Sequence, residues 1–550
     1  MDFLKTDAIQ ERLQVQDTFV LSIACCLLLG FFALLREAYR TDIPKVKGIP
    51  EVPGAKPFIG HLGPLGGREK RNDTVIFSRW AEQLKTDIYQ IRLGSQRAII
   101  VHGWEPIKDL WLGQSTSLSD RPWQPGKALS NKSALMTLVD IAPGFIDKLG
   151  VDISSSPLTP QIKRCRISAM KALGKPLWPD YYSLLEPSSV AMMRRVYERG
   201  ENGQKTIDLY LYFQQVVYDL ILHLTYGARM GDIDDSFATE LLESVQALTE
   251  IRSSTADFSH YVPLLRAIPR GETKVVKTEK RRRVQLDFLY QQYLDKVAKG
   301  EEIHCIVSQL GKDKLSLEEI RGTCVSLLQA APETVASGMY MACAWLSTPE
   351  GQKFQPKLLD AILKVYGGDK EAAWNNAFRE EAVPLVTSMY KETLRCYAPT
   401  PFAQGRAVSK DIPYRDFVIP KGITIIMNGQ QANLDPAAFG PDAGVFKPER
   451  FLGDNSALPH LAFGAGARQC PAMNISNRMM YGLLIRTVLA FRIQDAGPGG
   501  RKPPLDMRDF SDYYGLVNVP RSYDCLMIAR DPEWLLNLPE ENVLESASKK

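Results

Sequence analysis

Phe463-Gly464-Ala465-Gly466-Ala467-Arg468-Gln469-Cys470-Pro471-Ala472 spaces two glycines and an arginine ahead of a single cysteine. Glycine accepts backbone conformations in which a side chain would clash, so Gly464 and Gly466 permit a tight loop. Helix-forming residues begin at Met473, which sets Cys470 at a helix start. Free N–H groups and the helix dipole favour a thiolate there. A lone thiolate on one face of a flat cofactor is how some heme enzymes ligate iron, and it pushes electron density toward O–O cleavage. The competing reading is a buried structural cysteine, because free Cys is among the most buried residue types.

A second candidate, Ala330-Ala331-Pro332-Glu333-Thr334, ends 136 residues before Cys470. It sits inside an apolar-periodic segment that opens with the capping box Ser316-x-x-Glu319 and is expected to run to about Leu346, before Pro349. Pro332 removes one helical hydrogen bond and clashes with the carbonyl of Leu328, which predicts a kink and a groove. Small Ala331 leaves room for a diatomic ligand. Glu333 and Thr334 offer an acid and a hydroxyl beside it. Activating O2 needs two protons delivered in order, which suits such a pair. The blander alternative is a structural kink with a solvated glutamate.

Glu392 and Arg395 are three apart in a helical segment and share one face. Such pairs on a surface contribute little. Phe446-Lys447-Pro448-Glu449-Arg450-Phe451 follows, shortly before the cysteine loop.

These four segments, in this order, resemble the motifs of the cytochrome P-450 family. The cysteine loop fits its Phe-x-x-Gly-x-Arg-x-Cys-x-(Gly or Ala) pattern. The Ala-rich stretch fits (Ala/Gly)-Gly-x-(Asp/Glu)-Thr, with Ala331 in place of the usual Gly and Pro332 at the variable position. The other two are similar to Glu-x-x-Arg and Pro-Glu-Arg-Phe. The resemblance runs from residue 44 to about 520. It implies a mainly α fold with a small β subdomain, a single catalytic domain behind an N-terminal transmembrane helix. It implies heme b with its iron ligated by Cys470 and contacts from Phe463, Gly464 and Gly466. It implies propionate partners at Arg468, at Arg406 and on an early helix. There Leu158 replaces the family's Trp, and Lys163, Arg164 and Arg166 remain the choices. Ala331, Glu333 and Thr334 would serve the O2 side. Glu392, Arg395 and Arg450 would form a buried charge triad that fixes the cysteine loop, a structural role. Substrate would meet residues before the kink, Ala398 to Phe402 and Gly515 to Pro520.

The implied activity is O2 activation with electrons from an NADPH-dependent flavoprotein reductase, oxidising a small organic metabolite. The basic early helix, with Lys171 and Lys175, would dock the reductase or is simply solvated. Pro459 to Gly464 and the helix after the loop resemble filamentous-fungal members, loosely those near the phenylacetate hydroxylases. That points to an aromatic or amino-acid-derived metabolite of secondary metabolism. One alternative is a heme-thiolate enzyme that catalyses a rearrangement, dehydration or ring coupling without inserting oxygen, which the intact Glu333-Thr334 pair disfavours. Another is a non-enzymatic heme-binding membrane protein, which the full motif set disfavours.

The elements that must position these residues follow from the rest of the chain. Its 550 residues carry a net charge of +4, with 45% hydrophobic and 24% charged residues. That is ordinary globular composition and gives no argument for nucleic acid. Nine cysteines without a Cys-x-x-Cys pair, and six scattered histidines, fit neither a disulfide framework nor a zinc site. Phe19 to Leu35 is uncharged over 17 residues, with an acidic balance before it and a basic balance after it. It reads as a single-pass anchor at 19–35 behind a short tail, 1–18, with the bulk of the chain facing the cytosol. No basic n-region or small-residue cleavage site marks it as a signal peptide. Residues 36–67 alternate Pro and Gly and read as a stiff hinge. With the hinge, the anchor suggests the endoplasmic-reticulum membrane. The catalytic domain would occupy 68–530. Thr86 to His102 has hairpin character, helices dominate from about Gln161 to Leu394, and strands return from Pro401 to Ile426. The tail 531–550 is polar and expected to be loose.

Overall fold

The computed structural model describes residues 22–66, 72–122, 152–229, 239–240, 243–244, 258, 261–266, 274–506 and 516–539. The expected tail 1–18, the anchor's first residues Phe19 to Leu21, Gly67, Gly515 and residues 540–550 lie outside them.

The apolar N-terminal stretch forms α1, Ser22–Tyr39, an 18-residue helix with its apolar side chains exposed. At 1.5 Å per residue it reaches about 27 Å, close to the hydrocarbon thickness of a bilayer. It continues past the expected end at Leu35, because Arg36 and Glu37 are good helix formers and Glu37 pairs with Arg40 at 3.0 Å. The Pro/Gly stretch after it is irregular, as expected, but it is more than a connector. Val46, Ile49 and Val52 are buried. Gln90 Nε2 donates to the carbonyls of Val46 and Ile49 at 2.8 and 2.5 Å, and this ties the stretch to the sheet.

The principal elements, in chain order, are α2 (Asp73–Leu84), β1 (Ile88–Leu93), β2 (Gln96–Val101), α3 (Pro160–Ala172), α4 (Trp178–Arg199), α5 (Tyr210–Tyr226), α6 (Lys274–Ala298) and α7 (Leu317–Ser347). They continue with α8 (Pro349–Val365), α9 (Pro384–Cys396), β3 (Arg406–Ala407), β4 (Ile412–Tyr414), β5 (Phe417–Ile419), β6 (Thr424–Met427), α10 (Met473–Ala490), β7 (Phe491–Asp495) and β8 (Cys525–Ala529). The Thr86–His102 hairpin is β1 and β2, antiparallel with Ile88 opposite Val101. Gly94 makes its turn at φ +58°, where a Cβ would come 2.3 Å from the Tyr261 carbonyl. The main sheet has the order β1-β2-β6-β3, with β2 parallel to β6. The β2–β6 pairing joins an early and a late segment of the chain, and the antiparallel pairing of β3 with β6 sets Arg406 opposite Ile425.

The larger core lies among the helices around α7. The capping box forms as read: Ser316 Oγ accepts from Glu319 N at 3.3 Å, and Glu319 Oε2 accepts from Ser316 N at 2.8 Å. The helix runs without interruption from Leu317 through Pro332 to Ser347. Pro332 therefore costs one backbone bond without breaking the element, because helices pack along α7 on both sides of it. At Gly338 the α7 backbone meets α10 so closely that a Cβ would lie 2.8 Å from Met480 Cε. This contact places the helix that leaves the cysteine loop directly against α7. The expectation of a loose tail from Asp531 is corrected in part. Asp531 caps a short helix, Pro532–Asn537, whose Leu535 is buried and whose Trp534 lies 3.6 Å under Lys370.

Candidate functional site

The Cys470 amide donates to the Phe463 carbonyl at 3.0 Å and closes the glycine-spaced loop. Gly464 and Gly466 have φ of +66° and +69°, the left-handed region that other residues disfavour. Gly466 is also held by a neighbour, since a Cβ there would come 2.2 Å from the Trp111 carbonyl. Ser115 Oγ accepts from the Ala467 amide at 2.7 Å and pins the loop's other side. Phe463 is half-buried, with its ring 5.8 Å from that of His460. Beyond the loop, Ala472 caps α10 and its N–H reaches the Cys470 sulfur. Burial raises the Cys470 thiol, while the Ala472 N–H and Arg166 pull it down; burial prevails.

Four arginines converge beside this loop. Arg406 and Arg468, both read from the sequence, are buried. Arg121 and Arg166 join them. Residues 153–156 form a plate of carbonyls that three of the four share. Arg166 Nη1 donates to Ile153 O at 2.9 Å, Arg121 Nε and Arg468 Nη2 both donate to Ser154 O, and Arg468 Nη2 also reaches Ser156 O. Arg166 Nη2 donates to Gln469 O at 3.1 Å, next to the cysteine. Arg406 Nη2 lies 3.5 Å from Ala465 O. Among the described residues, Nε and Nη1 of both Arg406 and Arg468 have no hydrogen-bond partner, although they are fully buried. Burial pushes Arg406 down to about 9, with the charges of Arg468 and Arg166 adding to it, and pushes Arg468 down to about 10, with Arg166 adding to it against the pull of Asp152 and Asp120. Burying like charges with donors unused is costly unless an anion completes the set. Two carboxylates on one flat group would do so, and the donor set fits the propionates of heme.

The expected early-helix partners are corrected. Lys163 and Arg164 lie on the exposed face of α3, and Arg164 pairs instead with Glu319 of α7. Arg166 is the α3 arginine that turns inward. Its neighbours Ile162, Cys165, Ala169 and Ala172 form the buried stripe of α3, so the helical period could have selected it. Arg121 was missed, and no helical or strand pattern around it signals its burial.

The charge triad forms as the motifs imply. Arg395 donates to both Glu392 oxygens at 2.7 Å, and Arg450 Nε donates to Glu392 Oε1 at 3.1 Å. Glu392 and Arg395 are wholly buried and Arg450 nearly so. The remaining guanidinium N–H groups bind main-chain carbonyls of Asn433, Phe439, Asp442, Ala443 and Val445. Asn433 carries the connection onward, because its side-chain oxygen accepts from the Leu461 amide at 2.8 Å at the entrance of the cysteine loop.

Along α7, only Ala330, Ala331 and Thr334 are not buried between Thr323 and Ala344. They form a small, low-walled patch in an otherwise packed helix. Thr334 Oγ1 donates back to the Ala330 carbonyl at 2.8 Å, into the turn that Pro332 leaves one bond short. Glu333, next to it in sequence, is buried at 2% exposure. Among the described residues there is no cluster of His, Cys, Asp and Glu that could hold a separate metal ion.

A mainly helical chain with a small sheet and a buried-arginine cysteine loop defines a heme-thiolate class of protein. The chain belongs to the cytochrome P-450 family, whose model matches residues 50–525. Members of that family bind heme b through a cysteine thiolate. Phenylacetate 2-hydroxylase of Emericella nidulans is 32% identical over 511 residues, covering 91% of this chain and 94% of that one. 3-hydroxyphenylacetate 6-hydroxylase of the same organism is 26% identical over 540 residues, covering 96% and 97%. The protein is thus a cytochrome P-450 monooxygenase, an oxidoreductase acting with O2 on a small-molecule substrate.

Proposed function

We propose that this enzyme hydroxylates an arylacetate-type aromatic acid in fungal secondary metabolism, with electrons from an NADPH-dependent flavoprotein reductase. Cys470 is the iron ligand, and Arg121, Arg166, Arg406 and Arg468 hold the heme carboxylates. The observation that carries the site is the set of unpartnered buried N–H groups on Arg406 and Arg468 beside the cysteine loop. The substrate class rests on the two arylacetate hydroxylases among its relatives.

Bound there, the heme would supply the one-electron and O2 chemistry. The chain's own residues set its conditions. Ala330 and Ala331 keep side chains out of the O2 side. The Thr334 hydroxyl, already bonded to Ala330, is placed to pass a proton, and buried Glu333 replenishes it. Glu392, Arg395 and Arg450 brace the loop without touching substrate. Lys163 and Arg164, freed from any heme role, stand on an exposed basic face of α3 with Lys171, and exposed Lys175 follows just past the helix end, which suits the acidic surface of a reductase. α1 anchors residues 68–530 to the cytosolic face of the endoplasmic-reticulum membrane through the packed 36–67 hinge.

Reconstitution with a fungal NADPH reductase tests this reading. A ring-hydroxylated product from phenylacetate, formed with NADPH and O2 in equal amounts, is expected. NADPH consumption that no aromatic acid stimulates would overturn it.

A further inference from the structure

Gln329 stands on α7 immediately before Ala330 and Ala331 and is only 8% exposed. Its side-chain Nε2 and Oε1 are both fully buried, and neither has a hydrogen-bond partner among the described residues. A primary amide offers two N–H donors and an acceptor oxygen. Leaving all of them unmet in the interior is unfavourable unless a ligand or an ordered water completes them.

The helical period says what lies beside this amide. Residues four apart on a helix share a face, so Gln329, Glu333 and Ser337 form one row along α7. All three are buried, Glu333 and Ser337 at 2% exposure each. Ser337 Oγ is also without a partner among the described residues. The Glu333 carboxyl is thus flanked, one turn before and one turn after, by polar groups with hydrogen-bonding capacity to spare. Three residues before Gln329, on the same side of the helix, Ser326 Oγ meets Asp152 Oδ1 at 3.2 Å. Asp152 is half-exposed, so this end of the row reaches solvent.

We infer that Gln329 is a positioning residue that holds a water against Glu333, and that this water completes the path by which the acid regains protons from the Asp152 end. The inference rests on the role given to Glu333 above. An amide suits the task because it donates to a water and accepts from it without itself gaining or losing a proton. For each proton that Glu333 passes toward Thr334, the water gives one to the carboxylate and takes one from Asp152 through the Ser326 hydroxyl. Asp152 takes one from solvent. Every group in the row ends the cycle as it began, and none changes oxidation state.

The solvent deuterium isotope effect on O2 consumption tests this in the heme-loaded full-length protein with a fungal NADPH reductase. It is measured with phenylacetate and without it, so the comparison does not depend on the substrate class. Gln329→Leu keeps the bulk and removes the polar atoms, and its fold is checked by heme content and the reduced carbon monoxide spectrum. The variant should consume O2 about tenfold more slowly or worse, with an isotope effect larger than wild type, because proton return has become limiting. Reductase-driven reduction under carbon monoxide needs no such proton and should be unchanged. Gln329→Glu, with a polar end at the same place, should recover most of the rate. An unchanged rate in Gln329→Leu, or a slower rate with an unaltered isotope effect, would overturn the water role. Weakened phenylacetate binding with an unaltered isotope effect would overturn it too, by giving the amide to the substrate. Glu333→Gln separates the two levels of the argument. If it leaves rate and isotope effect unchanged, the proton role of Glu333 falls and the inference with it. If it slows O2 consumption while Gln329→Leu does not, only the inference falls.

Discussion

Arg395 donates from Nη1 to the carbonyl of Asn433 at 2.7 Å, and through this bond the buried charge cluster reaches the cysteine loop. The Asn433 side chain then receives the Leu461 amide, so three hydrogen-bonded steps join Glu392 to the segment that carries Cys470. The triad is therefore a brace, and its failure should appear first as loss of cofactor. Glu392→Ala leaves two buried guanidinium groups without their shared partner, a loss of about 3–5 kcal/mol. The variant should accumulate as heme-poor protein, measured by the ratio of Soret to protein absorbance. Normal heme content would show that the brace is dispensable.

Arg406 and Arg468 make opposite predictions for the empty and loaded protein. Without the heme carboxylates, four buried cations repel one another. Arg406→Leu should leave apoprotein thermal stability unchanged or raised. In the loaded protein it removes a charge-assisted contact worth about 1.5–3 kcal/mol. Heme transfer to an apomyoglobin acceptor should then run about tenfold faster or more. A fall in apoprotein stability together with unchanged heme release would contradict the propionate role.

Thr334 reads out proton delivery. Thr334→Ala removes the hydroxyl on the Ala330 turn but leaves the fold of α7, because its bond to the backbone is not part of the helical ladder. Product formation should fall by about 10²-fold while NADPH is still consumed and peroxide is released. Unchanged coupling would remove Thr334 from the pathway.

His223 on α5 gives the fold a pH signature. Burial, with Arg229 and Lys296 nearby, pushes it down from 6.5 to about 4, against the opposing pull of Asp219. Below its ordinary value the unfolded chain takes up a proton that the folded protein refuses, so the unfolded state binds more protons. Stability from this group is therefore complete above pH 6.5 and declines as the pH falls toward 4. Denaturant midpoints for wild type should fall through this window, and His223→Gln should flatten the fall. Identical slopes would mean that other groups govern it.

Local chemistry explains what was legible in the sequence. Two glycines, an arginine and a cysteine in one decapeptide carry their loop with them, and the Glu392-Arg395 and Arg450 motifs are short enough to be read directly. The capping box at Ser316 fixes the start of α7 in the same way. The arginine plate was only half legible. Arg121 and Arg166 are brought to residues 153–156 by tertiary packing, and nothing within one turn of Arg121 predicts that. The choice among Lys163, Arg164 and Arg166 stayed open because charge alone does not say which helix face is buried. The buried stripe of Ile162, Cys165 and Ala169 does. A kink at Pro332 was expected from the proline alone; the element runs unbroken through it, packed against α5, α9 and α10.

The central claim is thiolate ligation by Cys470, and the absorbance spectrum of the reduced protein under carbon monoxide tests it most directly. A strongly red-shifted Soret band in wild type that disappears in Cys470→Ala is the predicted result. An ordinary histidine-type band in wild type, or a red-shifted band that survives in Cys470→Ala, would contradict the assignment.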